Sequence, residues 1–513
     1  MVTLRRLRLA AGTAVLAAAA FSGPAHAEQV VVVDHDRALR VEDPFVPSRA
    51  ATDLGPAPGN RSIRAYPSAN GPRAVARVLQ RAGRTHAISG SELAGYRRTY
   101  RRARSTWRRL AGARRGELGY VLQSLERLAL ARRLTASRMR VMFLQLRRNR
   151  DYWASKPFPA AGDRVSFRGS ELLFQYFPGR GLQIHPLANF KKANLLHGAC
   201  GRPGNGKPVC GAQPPGPRQG SPCRPARLRR LLDELSSLAV QRGRGFVAWE
   251  YMFDFGGGSP PWMSGMAQAT AISALGRGAQ LLGRPDYGTM AQAALGAFEV
   301  RPPVGVRARG PLGGVHYLQY SFAPRLFIFN AFMQSLIGLH DYGKLGRDGR
   351  ATSLFTQAEP EARREVVHSD VGDWSRYSFR GRESTQVYHE LLREVLQSMG
   401  RRLGVGGIYC TYAIRYRGYQ TQPPTVRFSG PQETVRNRPA RVRFVVSKLS
   451  VVELKVYKGD RLALRSIATF RRGSHSFPWR PRSGGRYAVR LGAKELRTGR
   501  SLRGRASGAM LVK

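Results

Sequence analysis

Phe327-Ile328-Phe329-Asn330-Ala331-Phe332-Met333-Gln334-Ser335-Leu336-Ile337-Gly338-Leu339 is the stretch on which the fold turns. Phe329, Phe332, Met333, Leu336 and Leu339 recur at steps of three and four residues, the period that lines one face of an α-helix, so a helix is predicted over 330–340. The same period appears on both sides of it. Ile272, Leu275, Ala279 and Leu282 mark a helix over 263–282, whose small residues allow close helix contact, and further helices are predicted over 226–240 and 383–400. Toward the N-terminus, Ser91-Glu92 is a helix start signal. Leu118, Val121, Leu122, Leu125 and Leu128 then share one helical face, as do Met139, Met142, Phe143 and Leu146. The arginines opposite them read as solvated.

Between these helices the pattern breaks. Residues 164–176 read as short strand pieces, followed by Gly179-Arg180-Gly181 and Leu182-Gln183-Ile184-His185. Residues 200–223 hold too much Gly and Pro for regular structure. Gly204-Asn205-Gly206-Lys207 is not a phosphate loop, because Pro208 stands where Ser or Thr is needed. After Pro423-Pro424 the period becomes two: Val442 and Phe444, then Val452, Leu454 and Val456, then Tyr487, Val489 and Leu491, with Gly459-Asp460 at a hairpin turn. This predicts a small β-sandwich of immunoglobulin or fibronectin type, a spacer or binding accessory. The predicted division is a signal peptide over 1–27, a flexible lead-in over 28–90, a helical segment over 91–160, a catalytic unit over 161–420 and the β-rich unit over 423–513.

The 513 residues suffice for several domains, and a hydrophobic fraction of 42% is ordinary for a globular chain. The net charge of +53 is not ordinary, although the excess of Arg over Lys is also what a GC-rich genome would produce. A surface this basic draws polyanions: nucleic acid, anionic membrane or acidic polysaccharide. Arg5, Arg6 and Arg8 followed by the apolar run to Phe21 and Ala25-His26-Ala27 form an export signal cleaved after Ala27, too short for a membrane anchor. No later segment reads as transmembrane. Export to the exterior or the cell envelope argues against nucleic acid and permits disulfides among Cys200, Cys210, Cys223 and Cys410. Their three pairings stay open, and no zinc spacing is present.

Four segments in order carry a resemblance. They are Leu182-Gln183-Ile184-His185-Pro186-Leu187, running to Asn194; Trp262-Met263-Ser264-Gly265-Met266-Ala267-Gln268 with Ala271-Ile272-Ser273-Ala274-Leu275; the 327–339 stretch; and Tyr377-Ser378-Phe379-Arg380 with Tyr388-His389. Over roughly residues 180 to 400 the chain resembles the C-terminal catalytic domain of D-glucuronyl C5-epimerases, in a secreted, bacterial-type form. The resemblance implies a mainly α fold: an (α/α) toroid whose concave cleft holds a uronate-containing, heparan-sulfate-like polysaccharide, with helices replacing the β-rich N-terminal part of the animal enzymes.

Inverting C5 of a uronate requires the substrate carboxylate to be neutralised and two proton-transfer groups to stand on opposite faces of the ring. The resemblance implies Tyr320, within Tyr317-Leu318-Gln319-Tyr320, and Tyr388 as that pair, with Tyr317 the alternative to Tyr320 if the register slips. Tyr377 is a third site tyrosine. Arg380 is the implied carboxylate clamp, and His389 neutralises or orients the carboxylate. Nearby arginine would lower the tyrosine pKa values. Gln183, Gln268, Asn330 and Trp262 are further candidate substrate contacts, with helix packing or core filling as the alternative for the last three. No metal or cofactor is required, and a homodimer is open. Two departures stand out: Gln319 where the family commonly has Glu, and Leu392 where a second His is expected. Competing functions are a uronate lyase, which shares the proton abstraction and then expels the C4 substituent, and a non-catalytic secreted carbohydrate-binding or envelope protein.

Overall fold

The computed structural model describes residues 28–55, 69–201, 209–211, 222–243, 245–404, 407–504 and 506–513. The expected export signal, residues 56–68 of the expected lead-in, and most of the cysteine loop with Gly204-Asn205-Gly206-Lys207 lie outside the described residues.

The fold mixes helix and strand, with several small sheets among the helices. Its centre is a row of helices in the order Pro186–Gly198, Gly265–Leu282, Phe329–Leu345 and Gln386–Leu403, each packed on the next. Each is followed by a partner helix: Pro225–Ser237, Pro285–Ala294, Gly349–His368 and Ile408–Thr421. The chain starts these helices with side-chain caps, which satisfy otherwise unpaired N–H groups. Ser264 Oγ accepts from Ala267 N at 3.3 Å, Asp348 Oδ1 from Ala351 N at 2.8 Å, and Thr385 Oγ1 from Tyr388 N at 3.5 Å. Helix Gly265–Leu282 is buried over most of its length because its small residues admit neighbours closely. At Gly338, on the facing helix, a Cβ would collide with the Ala269 backbone. The helices Gly349–His368 and Ile408–Thr421 were not expected. The first contains Pro360, and the second carries tyrosines and arginines rather than an aliphatic stripe.

The expectation of a flexible lead-in over 28–90 is corrected. Glu28–Asp34 and Arg37–Asp43 form a hairpin, and the first of these strands pairs in parallel with Arg164–Phe167. Phe174–Phe177 and Gly181–Ile184 complete a five-stranded sheet. Helix Gly71–Arg84 also lies in that region, burying Ala74, Val75, Leu79 and Ala82 against Gly112–Leu130. The parallel partner of Glu28–Asp34 lies beyond five helices among the described residues, so no local pattern reveals that pairing. Farther on, helix Gly90–Arg109 begins one residue before the predicted signal, with Ser89 as its cap in a capping box with Glu92.

At the C-terminus a three-stranded sheet and a five-stranded sheet share one apolar cluster containing Val442, Phe444, Val452, Leu454, Val456, Tyr487, Val489 and Leu491. Gly459-Asp460 joins Ser450–Lys458 to Arg461–Phe470 as a two-residue turn. These sheets reach the helical unit through Arg497, which bonds Asp373 at 2.9 Å and Glu383 at 2.5 Å and lies over the Trp374 ring at 5.0 Å. The four cysteines pair as Cys200–Cys223 and Cys210–Cys410. Among the described residues no helix is long and apolar enough to cross a membrane.

Candidate active site

Three tyrosines from separate segments meet beside the apolar cluster of Leu54, Tyr251, Phe253, Trp262 and Met266. Tyr320 follows the strand Val315–Tyr317, and its ring lies 5.8 Å from Trp262 and 5.3 Å from Phe322. Trp262 in turn stacks on Tyr251 at 4.1 Å. Tyr377 sits on a segment pinned to the start of helix Phe329–Leu345, where its carbonyl accepts from Phe329 N at 3.3 Å. Tyr388 occupies the first turn of helix Gln386–Leu403, and its ring centre is 4.8 Å from that of Tyr377. Of the two tyrosines at 317 and 320, Tyr317 donates its hydroxyl to Leu354 O at 2.7 Å in the core, and Tyr320 is the one that lies in the cluster.

The hydroxyls are closed over by Asp53-Leu54-Gly55. Tyr320 donates to the Leu54 carbonyl. Gly55 has φ +91, and a Cβ there would collide with the Tyr377 hydroxyl and stand 3.1 Å from that of Tyr320. The Tyr388 hydroxyl is buried without a well-formed hydrogen bond. All three phenols are held above the usual tyrosine range, with burial the largest cause in each. The Asp53 carboxylate adds to the rise at all three. The expected lowering by arginine is therefore corrected: the charge bearing on every member of the cluster is an anion.

Arg380 is not with the tyrosines. The turn closed by Gly381 N to Ser378 O at 2.8 Å puts Arg380 at φ +56, exposed, lining a separate surface cavity with His368, Asp370 and Arg376. Residues three apart share a face on a helix but not across so tight a turn. His389 is also corrected. It is fully buried and stacked on Trp374 at 3.7 Å, and both ring nitrogens are engaged, with Ser375 Oγ at 2.8 Å and Tyr416 O at 3.1 Å. Adjacent helical residues point about 100° apart, so Tyr388 at the site sends His389 to the core.

Gln183 and Gln268 are structural. Gln183 accepts from Gln145 at 2.8 Å, and Gln268 donates to Val247 O at 2.8 Å while accepting from Trp249 N at 3.4 Å. Trp262 forms the aromatic wall, and Asn330 is buried in the first turn of its helix beside Ala331, which packs in the same cluster. Gln319 is buried and accepts from Ser264 Oγ at 3.3 Å, and Leu392 fills the core.

Burial lowers the His389 pKa to about 4, so the folded ring is neutral where the unfolded one, near 6.5, takes a proton. The stability this contributes is complete above about pH 6.5 and is lost as the pH falls toward 4, on the order of 3 kcal/mol. In urea unfolding, His389→Gln is expected to lose less stability than the unaltered chain across that window. Equal losses would contradict the buried neutral ring.

Sequence reasoning missed a polar group on the other side of Asp53-Leu54-Gly55. Arg164 is 2% exposed, bonds Thr52 Oγ1 and Gln175, and leaves Nε without a partner. Its pKa falls to about 10, chiefly through burial. His185 is fully buried, with Nδ1 accepting from Ala188 N at 3.3 Å, so its proton sits on Nε2, which makes no well-formed hydrogen bond and has the Thr52 backbone as its neighbour. Burial holds it well below the ordinary histidine value. Lys191 donates to Ala51 O at 2.6 Å, and burial lowers its pKa to about 8. The sequence signal was present in Leu182-Gln183-Ile184-His185, where strand alternation puts residues 183 and 185 on one face.

Residues 243–417 match the family model described as the D-glucuronyl C5-epimerase C-terminus. A D-glucuronyl C5-epimerase of Caenorhabditis elegans is 35% identical over 86 residues, 17% of this chain and 14% of that protein, so the chain spans only a small part of the curated relative it matches. Among solved structures, a CARDB domain from Pyrococcus furiosus is 20% identical with a TM-score of 0.14, covering 17% of this chain and 91% of that one. The endo-β-1,4-glucanase CMCax of Acetobacter xylinum is 15% identical with a TM-score of 0.29, covering 46% and 72% respectively. The matched span contains Trp262, Tyr320, Tyr377 and Tyr388, so the part of the chain that is similar to the D-glucuronyl C5-epimerase C-terminus, residues 243–417, is the part that brings the three tyrosines together.

Proposed function

We propose that the chain is an exported polysaccharide uronate C5-epimerase, an isomerase in which one tyrosine, as phenolate, takes the C5 proton of a D-glucuronyl residue and another, as phenol, returns a proton across the ring. The observation that carries this reading is the convergence of Tyr320, Tyr377 and Tyr388 from three separate segments, with the Tyr388 hydroxyl buried and lacking a well-formed hydrogen bond. Asp53 and the Gly55 backbone reach this hydroxyl without good geometry; a poorly satisfied buried hydroxyl is costly, and a substrate atom would satisfy it. Tyr388 and Tyr320 are the opposed pair in this proposal, and Tyr377 lies between them to relay or orient.

As phenols raised above their usual range they are proton donors. A tyrosine becomes a base only when a cation replaces the Asp53 carboxylate as its charged neighbour. In the same proposal the helix pairs form an (α/α) toroid, the C-terminal sheets form a β-sandwich accessory, and the basic surface gathers the acidic polymer in a salt-dependent way.

The test is to incubate the protein with a glucuronate-containing polysaccharide and follow the products by nuclear magnetic resonance and ultraviolet absorbance. L-Iduronyl signals without unsaturated chain ends are expected. Unsaturated ends would show elimination instead, and bound but unchanged polymer would show a carbohydrate-binding protein.

A further inference from the structure

Three buried polar atoms without a well-formed hydrogen bond surround one short segment: Arg164 Nε, His185 Nε2 and the Tyr388 hydroxyl. Buried polar groups are nearly always paired, so three around one feature mark a place built for something else. The segment there is Thr52–Gly55. Thr52 bonds the Arg164 guanidinium, and its backbone lies beside His185. Leu54 is 3% exposed among Tyr251, Trp262, Met266 and Tyr320, and its carbonyl takes the Tyr320 hydroxyl. Gly55 rests on the Tyr377 hydroxyl in a backbone conformation that favours glycine.

Asp53, exposed at the outer edge, makes an intrasegment bond from Gly55 N at 3.1 Å. Its charge bears on all three tyrosines and on Arg164. Upstream, the segment is anchored by Arg49 to Asp163 and Ala161 O, and by Lys191 to Ala51 O. With Leu54 and Gly55 against the hydroxyls, a sugar ring has no access to them.

We propose that Thr52–Gly55 is a resident stand-in for the substrate: it fills the space between Arg164 and the three tyrosines that a uronate takes, and Arg164, released from Thr52, holds the uronate carboxylate. This rests on the uronate reading above and supplies the cation that Arg380 does not. A guanidinium suits the task because it binds a carboxylate through two parallel bonds. The exchange also removes the Asp53 anion from the phenols. The resident segment lowers apparent affinity by the fraction of molecules in which it is seated.

The test uses full-length protein and an alternating glucuronate–N-acetylhexosamine polymer, with affinity measured by calorimetry at fixed ionic strength and amide hydrogen exchange followed at residues 53–55. Gly55→Ala pushes the segment off Tyr377 without changing charge, so it is expected to bind the polymer about tenfold more tightly. Polymer is expected to speed exchange at Leu54 and Gly55 in the unaltered chain. Arg164→Gln is expected to weaken binding at least tenfold, with partial rescue by Arg164→Lys, while Arg380→Gln leaves it unchanged. Asp53→Ala, which removes charge but no packing, is the second variant should Gly55→Ala fail to fold, and it too is expected to bind more tightly.

Unaltered affinity in Gly55→Ala and Asp53→Ala, or undiminished protection at 53–55 with polymer bound, overturns the stand-in while the uronate reading survives. Polymer binding to none of these proteins overturns the uronate reading and the inference with it.

Discussion

Tyr388→Phe is expected to reduce proton exchange at C5 by about a thousandfold while leaving polymer affinity nearly unchanged, because it removes one proton-transfer group and almost no contact area. The magnitude follows from what a positioned acid or base contributes to a carbon-acid reaction, a factor of roughly 10² to 10⁴. The effect should fall on kcat rather than KM. Tyr317→Phe is the control. Its hydroxyl bonds Leu354 O in the core, so the variant is expected to lose about 1 kcal/mol of stability and keep its exchange rate. Exchange at the unaltered rate in Tyr388→Phe would remove that tyrosine from the acid–base pair.

The second large effect concerns stability. The Cys210–Cys410 bridge closes a loop with a sequence separation of 200 residues, joining the cysteine loop to helix Ile408–Thr421. Chain-entropy arguments give about 5 kcal/mol for a loop of this length, and measured effects of native bridges run from about 2 to 5 kcal/mol. The double variant Cys210→Ser, Cys410→Ser is therefore expected to lose about 3 kcal/mol in denaturant unfolding under oxidising conditions. Cys200–Cys223, with a separation of 23, closes a much shorter loop, and its removal is expected to cost less. The reverse order would contradict the loop-entropy account.

The elements visible in the sequence were those whose signal is local. The apolar steps at Phe329, Phe332, Met333, Leu336 and Leu339 announce a helix by themselves, and Gly459-Asp460 announces a hairpin. What pairs at long range was not legible. Val30 to Val33 pair locally with Arg37–Asp43 but also with the distant Arg164–Phe167, and no spacing rule chooses between Cys210 and Cys223 as the partner of Cys410.

The site divided in the same way. The three tyrosines were identified through motifs within residues 243–417, and they meet in space. Arg380 and His389 come from the same motifs, Tyr377-Ser378-Phe379-Arg380 and Tyr388-His389, but local geometry sends both elsewhere: a left-handed turn exposes Arg380, and the helical step buries His389. Asp53, Arg164 and His185 were missed because each lies outside the matched span and reaches the tyrosines only through tertiary packing. His185 illustrates the limit well, for the strand that leads to it was read and Gln183, two residues earlier, was chosen instead.

The central claim is that Tyr320, Tyr377 and Tyr388 form one acid–base site for the C5 proton of a uronate. Its most direct test is incubation of the full-length protein with a glucuronate polymer in deuterated water, with the polymer then read for label by nuclear magnetic resonance. The account predicts deuterium at C5 in both the D-gluco and L-ido residues, with no shortening of the chain. Polymer that binds yet returns without label at C5 would contradict it.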